Sequence, residues 1–380
     1  MPPSDPQGGQ SLRLFRLFGI QFTANWSWLL LVALLIYVAY SSFRGLRVGF
    51  AQAELWVLAV AAAFLSVVSL YGHELAHALV ARVYGIPVRT ISLFLLGGMA
   101  HITRESPSPR AEVYIAVAGP LTSIAVGVVA GLASWGLWDV APPVAVLGLW
   151  LATMNIPLGI FNLVPAYPLD GGRVLRGVLW FAGRDLRWAS TIAARVGQLA
   201  AVGLLFSGVW ILFDGSSGAL GGLWLIMIAW FMYAGAANSQ HAVAFQENLR
   251  RLTVASVMDR DFGRVQVGLS VQAFAEAHLL EKPSVLPRRH AYAVYQDEYL
   301  VGLVSLRELG RIPMQRWSQT SIERAMLPIE SAPAMEPGAP ALGALHLILE
   351  EGVEHIAVMA EGRLLGLVTR NELARAQEHA

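Results

Sequence analysis

Six apolar segments, each long enough to cross a bilayer, constrain the fold of this 380-residue chain more than any other feature. A membrane-spanning helix needs about 20 mostly apolar residues. A shorter apolar stretch, Ile91–His101, contains Gly97-Gly98 and is predicted to form a re-entrant hairpin between the second and third spans. The predicted spans are Ala24–Phe43, Trp56–Ala81, Val113–Trp138, Pro143–Val164, Ala189–Phe213 and Leu220–Phe245.

The charged residues divide the chain into two parts. Residues 1–250 contain 24 Asp, Glu, Lys and Arg residues, whereas 251–380 contain 29. A soluble domain is roughly 25% charged, so we predict a membrane domain over 1–245 followed by a soluble region. The net charge of +1 gives no reason to expect a nucleic-acid partner. The absence of cysteine excludes disulfides and thiolate metal sites.

Arginines lie mostly on one side of the predicted spans. They precede span one, and they lie between spans two and three and between spans four and five. None lies between spans three and four or between five and six, and the pair Arg44 and Arg47 between spans one and two is the exception. The positive-inside rule therefore predicts that both termini are cytoplasmic.

The second span contains an H-E-x-x-H sequence, His73-Glu74-Leu75-Ala76-His77. Residues four apart share a helix face, so both imidazoles can reach one cation while Glu74 lies beside them. An ionised carboxylate in an apolar span is costly unless it has a partner. A structural cluster that joins helices is the alternative interpretation, and this placement favours the metal site.

A catalytic zinc ion usually has three protein ligands and one open position. Asp170 is the first charged residue after the fourth span, and it is the best candidate for the third ligand. A turn-forming Asp-Gly pair is the alternative interpretation of Asp170. If both termini are cytoplasmic, the second and fourth spans run in the same direction, and His73 and Asp170 both fall near the cytoplasmic edge of the bilayer.

The combined motifs resemble the site-2 protease family of intramembrane zinc metalloproteases. The resemblance covers about residues 12–245 and is carried by the H-E-x-x-H sequence, residues 162–172 (Asn-Leu-Val-Pro-Ala-Tyr-Pro-Leu-Asp-Gly-Gly), Gly119-Pro120, Gly97-Gly98 and Phe18-Gly19-Ile20. It implies that His73, His77 and Asp170 bind one zinc ion and that Glu74 is the catalytic base. It also implies that Asn162 stabilises the oxyanion, although Asn162 alone is equally consistent with a hydrogen bond that ends a helix.

The family resemblance also implies a substrate class and a location. The expected activity is cleavage of transmembrane segments in regulated intramembrane proteolysis. Expected substrates are a trimmed anti-sigma factor or the precursor of a membrane-tethered transcription factor. The expected location is a bacterial or archaeal plasma membrane, with the lipid bilayer as the surrounding medium.

Residues 252–378 contain an internal repeat, in which Val301–Leu309 corresponds to Leu365–Leu373 at an offset of 64. The predicted repeats, 252–313 and 321–378, resemble a tandem pair of cystathionine-β-synthase (CBS) domains, and the resulting fold class is a polytopic α-helical membrane protein with a soluble α/β tail. The resemblance implies ATP, ADP or AMP as ligands and allows a homodimer through the pair. The implied nucleotide-contacting residues are Ser305, Glu308, Thr369 and Glu372. The family usually has Asp where this chain has Glu308 and Glu372, so a purely structural pair stays an alternative.

Two other functions fit parts of the sequence. A transporter or channel gated by CBS domains would distribute polar groups over several spans, whereas the intramembrane charge here is concentrated in Glu74. An inactive, protease-like scaffold would lack the base or a ligand, and all of these residues are present.

Overall fold

The computed structural model describes residues 11–46, 49–94, 97–102, 106–183, 185–214, 219–277, 291–351 and 353–378. The chain divides into two compact units, Asp5–Val243 and Ala244–Ala380. The predicted domain boundaries, 1–245, 252–313 and 321–378, stay predictions.

Helices form most of the first unit. They are α1 (Trp28–Gly45), α2 (Gln52–Val83), α3 (Pro109–Leu137), α4 (Pro142–Asn162), α5 (Asp170–Phe181), α6 (Leu186–Asp214) and α7 (Ala219–Arg251). Within the described ranges, six of these helices, all except α5, are long and apolar enough to cross a membrane. The prediction of six spans is therefore confirmed. Large apolar side chains such as Leu30, Phe64 and Phe206 point outward and are exposed, as expected of helices that face lipid.

The ends of all six spanning helices differ from those of the predicted spans. The first helix begins at Trp28 rather than Ala24, because Asn25 accepts a hydrogen bond from the backbone N–H of Ser27 (3.1 Å) and turns the chain before the helix. α2 has 32 residues and is therefore about 48 Å long at 1.5 Å per residue. Its length exceeds the bilayer core of about 30 Å.

A four-stranded sheet packs against α2. Its strands are β1 (Ser11–Leu17), β2 (Ile20–Asn25), β3 (Val88–Phe94) and β4 (Gly97–Ile102), in the order β1-β2-β3-β4. β2 and β3 are parallel and the other pairs are antiparallel. Phe22 and Ile91 are fully buried in a cluster with Tyr71 of α2, and the Tyr71 hydroxyl donates to the carbonyl of Thr23 (3.1 Å). This packing holds the sheet against the helix that carries the H-E-x-x-H sequence.

The segment predicted to form a re-entrant hairpin consists of β3 and β4. These strands pair antiparallel from Val88 opposite Ile102 to Phe94 opposite Gly97, and residues 95 and 96 lie outside the described part. A hairpin is therefore observed, whereas its re-entry into the membrane stays a prediction.

The second unit contains two small sheets covered by short helices. The strand orders are β5-β6-β7-β8 in one sheet and β11-β10-β9 in the other. The elements in chain order are α8 (Val254–Val257), β5 (Gly263–Gln266), α9 (Val271–Ala275), β6 (Ala291–Gln296), β7 (Tyr299–Ser305), α10 (Leu306–Gly310), α11 (Ile322–Ala325), β8 (Leu327–Pro328), β9 (Ala334–Met335), α12 (Ala341–Glu351), β10 (His355–Ala360), β11 (Arg363–Thr369) and α13 (Arg370–Glu378).

The internal repeat is visible in the strand register. β6 and β7 pair from Ala291 opposite Ser305, and β10 and β11 pair from His355 opposite Thr369, with an irregularity at the same place in each hairpin. The tight turns also match, because Asp297 and Glu361 both have positive φ (56° and 50°). The two halves of the tail therefore share one strand–turn–strand design.

Candidate metal centre

Three side chains from two helices converge inside the first unit. His73 and His77 lie one turn apart on α2, and Asp170 is the first residue of α5. Asp170 Oδ2 lies 3.3 Å from His73 Nε2 and 3.2 Å from His77 Nε2, and the two Nε2 atoms are 3.2 Å apart. Both histidines are buried, with 4% of their surface exposed.

These separations fit a small cation. Ligand atoms at the usual zinc distances around a tetrahedral ion lie roughly 3.3 Å from one another, which is the spacing of the three donor atoms here. Two imidazole nitrogens and one carboxylate oxygen are also the donor types of catalytic zinc sites. Of the described residues, His73, His77 and Asp170 form the group that meets the distance requirement for a shared ion.

The other ring nitrogen of each histidine has its own partner on α3. His77 Nδ1 lies 2.6 Å from the carbonyl oxygen of Ile115, and His73 Nδ1 lies 2.9 Å from the hydroxyl of Ser123. A carbonyl can only accept, so His77 carries a proton on Nδ1, and its Nε2 faces the centre. Such partners orient the imidazoles of metal ligands.

Asp170 is held in its ionised form. Burial alone would raise the pKa of Asp170, but hydrogen bonds from His73 and His77 outweigh burial and hold the pKa well below its usual range. The carboxylate is therefore charged at neutral pH, as a metal ligand must be.

Glycines leave room for this arrangement. A Cβ on Gly119 of α3 would lie 2.6 Å from His73 Nε2 and closer still to His77 Nε2. At the start of α5, a Cβ on Gly172 would lie 2.5 Å from the backbone nitrogen of Tyr167. Real Cβ atoms do not approach other atoms this closely, so both positions require glycine.

The two predicted catalytic residues, Glu74 and Asn162, have different surroundings in the structure. Glu74 follows His73 on α2, is partly buried, and its charge acts on His77. Asn162 is the last residue of α4, and its amide donates to the carbonyl of Leu158 (3.1 Å). This hydrogen bond is the helix-ending contact that the sequence allowed, and it occupies one of the two amide protons.

The implied nucleotide-contacting residues of the tail bond to their own helix starts. Glu308 accepts hydrogen bonds from the backbone N–H (3.0 Å) and hydroxyl of Ser305. Glu372 accepts the same two hydrogen bonds from Thr369. Thr369 and Glu372 also line a small cleft together with Asp259, Asp261, Phe262, Ala291, His355 and Leu367.

Sequence reasoning missed a buried ion pair close to the cluster. Glu112 on α3 is 0% exposed, and its carboxylate pairs with Arg173 (3.1 Å to Nε) and Arg176 of α5. It also missed Ser123, the partner of His73. The sequence feature that could have indicated Ser123 is a pair of small residues, Gly119 and Ser123, which lie four residues apart on one face of α3.

Comparison with known proteins identifies similar sequences for both units. The model of Peptidase family M50 matches residues 60–141 and 140–204, which include the H-E-x-x-H sequence and Asp170. The CBS domain model matches residues 327–379.

Three relatives show how far the similarity extends. The chain is 33% identical over 369 residues to a protein of Mycobacterium tuberculosis named zinc metalloprotease Rip3, covering 96% of this chain and 92% of the relative. It is 28% identical over 378 residues to zinc metalloprotease sll0528 of Synechocystis, covering 97% of each. A solved structure of the site-2 protease from Methanocaldococcus jannaschii has 30% identity and a TM-score of 0.42, covering 60% of this chain and 95% of that one.

Proposed function

The chain belongs to peptidase family M50, the site-2 protease family of zinc metalloproteases, and on that premise we propose that it hydrolyses peptide bonds in transmembrane segments of other membrane proteins. The observation that carries the proposal is the convergence of His73, His77 and Asp170 within 3.3 Å of one another, beside Glu74. The zinc metalloprotease relatives imply zinc as the metal, and one ion per chain is proposed.

Each residue has a defined task in this reaction. His73, His77 and Asp170 would hold the zinc ion, which when bound acidifies water and polarises a carbonyl group. Glu74 takes a proton from the attacking water and delivers it to the nitrogen of the departing amine. Ser123 and the Ile115 carbonyl keep the two imidazoles oriented. The second amide proton of Asn162 is proposed to stabilise the developing oxyanion.

The orientation in the membrane is also a proposal. The distribution of arginines in the loops supports cytoplasmic termini at both ends of the chain. In this orientation, His73 lies about 15 Å before the cytoplasmic end of α2, at 1.5 Å per residue. Water from the cytoplasm then has a short path to the site. A plasma membrane is the proposed location.

The proposed substrates are membrane proteins that release a signalling domain when cleaved. A trimmed anti-sigma factor and a membrane-tethered transcription factor precursor are the two classes that the family implies. A homodimer through the tail is also proposed, because CBS pairs commonly associate.

Two alternatives predict different surroundings for the charged groups. A CBS-gated transporter or channel would carry its polar groups along several spans, whereas the described donors converge on one point. An inactive protease-like scaffold would lose the base or a ligand, and Glu74, His73, His77 and Asp170 are all present. Both alternatives predict no hydrolysis by the purified protein.

Removal of the metal tests the proposed function. Purified protein in proteoliposomes should cleave a fluorogenic transmembrane peptide, and a zinc chelator should lower the rate by at least ~100-fold. Added zinc should restore cleavage and added magnesium should not, since magnesium prefers oxygen ligands. Cleavage that persists after the zinc has been removed would contradict the proposal.

Adenine nucleotide binding in the tail is the proposed regulatory input. The cleft beside Thr369 contains three carboxylates, those of Asp259, Asp261 and Glu372. Negative charges at this position repel phosphate groups, so fewer phosphates should mean tighter binding. A purely structural pair is the alternative, because Glu308 and Glu372 already accept hydrogen bonds from their own helix starts.

Calorimetry on the full chain separates these alternatives. With magnesium omitted, AMP should bind about tenfold more tightly than ATP, with ADP between them. An absence of heat with all three nucleotides would support the structural pair, and tighter binding of ATP would contradict the charge argument.

A further inference from the structure

A buried carboxylate beside the metal centre has no role in the chemistry described above. Glu112 lies in the first turn of α3, and no part of its surface is exposed. Its carboxylate bonds to Arg173 Nε (3.1 Å), to Arg176 and to the hydroxyl of Ser106. A carboxylate that is removed from water requires such partners, so Glu112 connects α3 to α5 and to Ser106, which lies just before α3.

Glu112 lies in line with the groups on α3 that contact the metal ligands. Glu112, Ile115, Gly119 and Ser123 follow one another at helical spacing on one buried face of α3. Ile115 contacts His77, Ser123 contacts His73, and Gly119 leaves space for both. α3 supplies none of the three candidate ligands, yet this face contacts the two histidines directly.

Glu112 also connects this face of α3 to α5, the helix that carries the third candidate ligand, Asp170. Its partner Arg173 follows Asp170 by three residues, which is one turn of α5. Its other partner, Arg176, also lies over the ring of Tyr167 (5.9 Å to the centroid), in the loop that leads to Asp170. The position of α5, and with it the carboxylate of Asp170, is therefore fixed against α3 through Glu112.

The charges give Glu112 a second effect on Asp170. Arg173 and Asp170 also interact electrostatically, so a guanidinium without Glu112 would be attracted to the carboxylate that the metal needs. Two acidic groups, Glu112 and Asp170, balance two arginines in this region. Glu112 thus keeps Arg173 in an ion pair and leaves the carboxylate of Asp170 available to bind the metal.

We propose that Glu112 is a positioning residue for the metal centre, which orients Asp170 toward His73 and His77 by holding Arg173 and Arg176 on α3. The inference rests on the proposed function only in that it requires a metal at this cluster. It adds a residue of α3 to the determinants of metal affinity.

The test measures metal binding rather than proteolysis. In purified full-length protein, Glu112→Gln should weaken zinc binding by about 10- to 100-fold, as observed for partners that orient metal ligands. It should also change the visible absorption spectrum of the cobalt-substituted protein, because Asp170 is displaced. Ser134→Ala is the matched control, since it removes a buried hydrogen bond between α3 and the Ala145 carbonyl (2.7 Å) far along the same helix. The control should keep the wild-type zinc affinity and cobalt spectrum.

A milder variant covers the case in which Glu112→Gln does not fold. Arg176→Lys keeps the charge but loses the planar guanidinium, and it should weaken zinc binding by roughly 3- to 10-fold. Wild-type zinc affinity and an unchanged cobalt spectrum in a folded variant of either residue would overturn the inference. A wild-type protein that binds no zinc would instead contradict the proposed function.

Discussion

Gly119→Ala is expected to lose zinc binding and proteolysis together. The new Cβ would lie 2.6 Å from His73 Nε2 and closer to His77 Nε2, in the space that a shared ion requires. Neither histidine can move away easily, because Ser123 and the Ile115 carbonyl hold the opposite side of each ring. We expect at least ~100-fold weaker zinc binding, which exceeds the usual cost of changing a residue that only orients a ligand.

The matched control for this substitution is Gly203→Ala on α6. A Cβ at Gly203 meets no atom within 4 Å, and alanine favours a helix over glycine. This variant should keep its zinc and its activity. Metal content measured by mass spectrometry after equilibrium dialysis distinguishes the two variants, and a Gly119→Ala protein with a full zinc complement would contradict the assigned geometry.

Glu74→Gln is expected to separate metal binding from chemistry. Glutamine has nearly the same shape as glutamate but cannot accept the proton of the attacking water, so the rate should fall by about 10²- to 10⁴-fold. His73, His77 and Asp170 remain in place, so zinc content should stay at the wild-type level. Single-turnover cleavage of a transmembrane peptide, measured with zinc content on the same sample, gives both quantities.

Glu54→Gln provides the control on the same helix. Glu54 caps the start of α2 by accepting a hydrogen bond from the backbone N–H of Ala51 (2.8 Å), and it lies 20 residues before Glu74. Its loss should weaken the helix start and leave the cleavage rate unchanged. Normal cleavage by Glu74→Gln would show that another group is the base.

The membrane helices were predictable because each one is encoded locally. Length and apolar composition are properties of a single segment, and a bilayer imposes one minimum length on all of them. The N-terminal strands were not predictable in this way. Residues 11–25 alternate too irregularly to indicate a sheet, and the parallel pairing of Gln21 with Thr90 joins parts of the chain that no local pattern connects.

The convergence of the two histidines was predictable for a similar reason. The two histidines share a helix, so their spacing alone predicts that they meet. The groups that orient them were not predictable, because Ser123 is 50 residues from His73 and Glu112 is 61 residues from Arg173. Serine and glutamate occur in many places, and only the packing of α3 against α2 and α5 selects these two.

The hydrogen bonds of two glutamates in the tail were not predictable from the family resemblance. Glu308 and Glu372, which the family resemblance implies as nucleotide contacts, both accept hydrogen bonds from residues three positions earlier. A glutamate side chain is long enough to fold back onto its own helix start, as in a capping box. This partner just before each helix is the physical reason that nucleotide binding requires a direct test.

Zinc-edge X-ray absorption of the purified wild-type protein tests the central claim most directly. The claim is that His73, His77 and Asp170 together hold one zinc ion. We predict about one zinc per chain, with two imidazole nitrogens and a carboxylate oxygen among its ligands. A folded protein that contains no zinc, or zinc without imidazole ligands, would contradict the account.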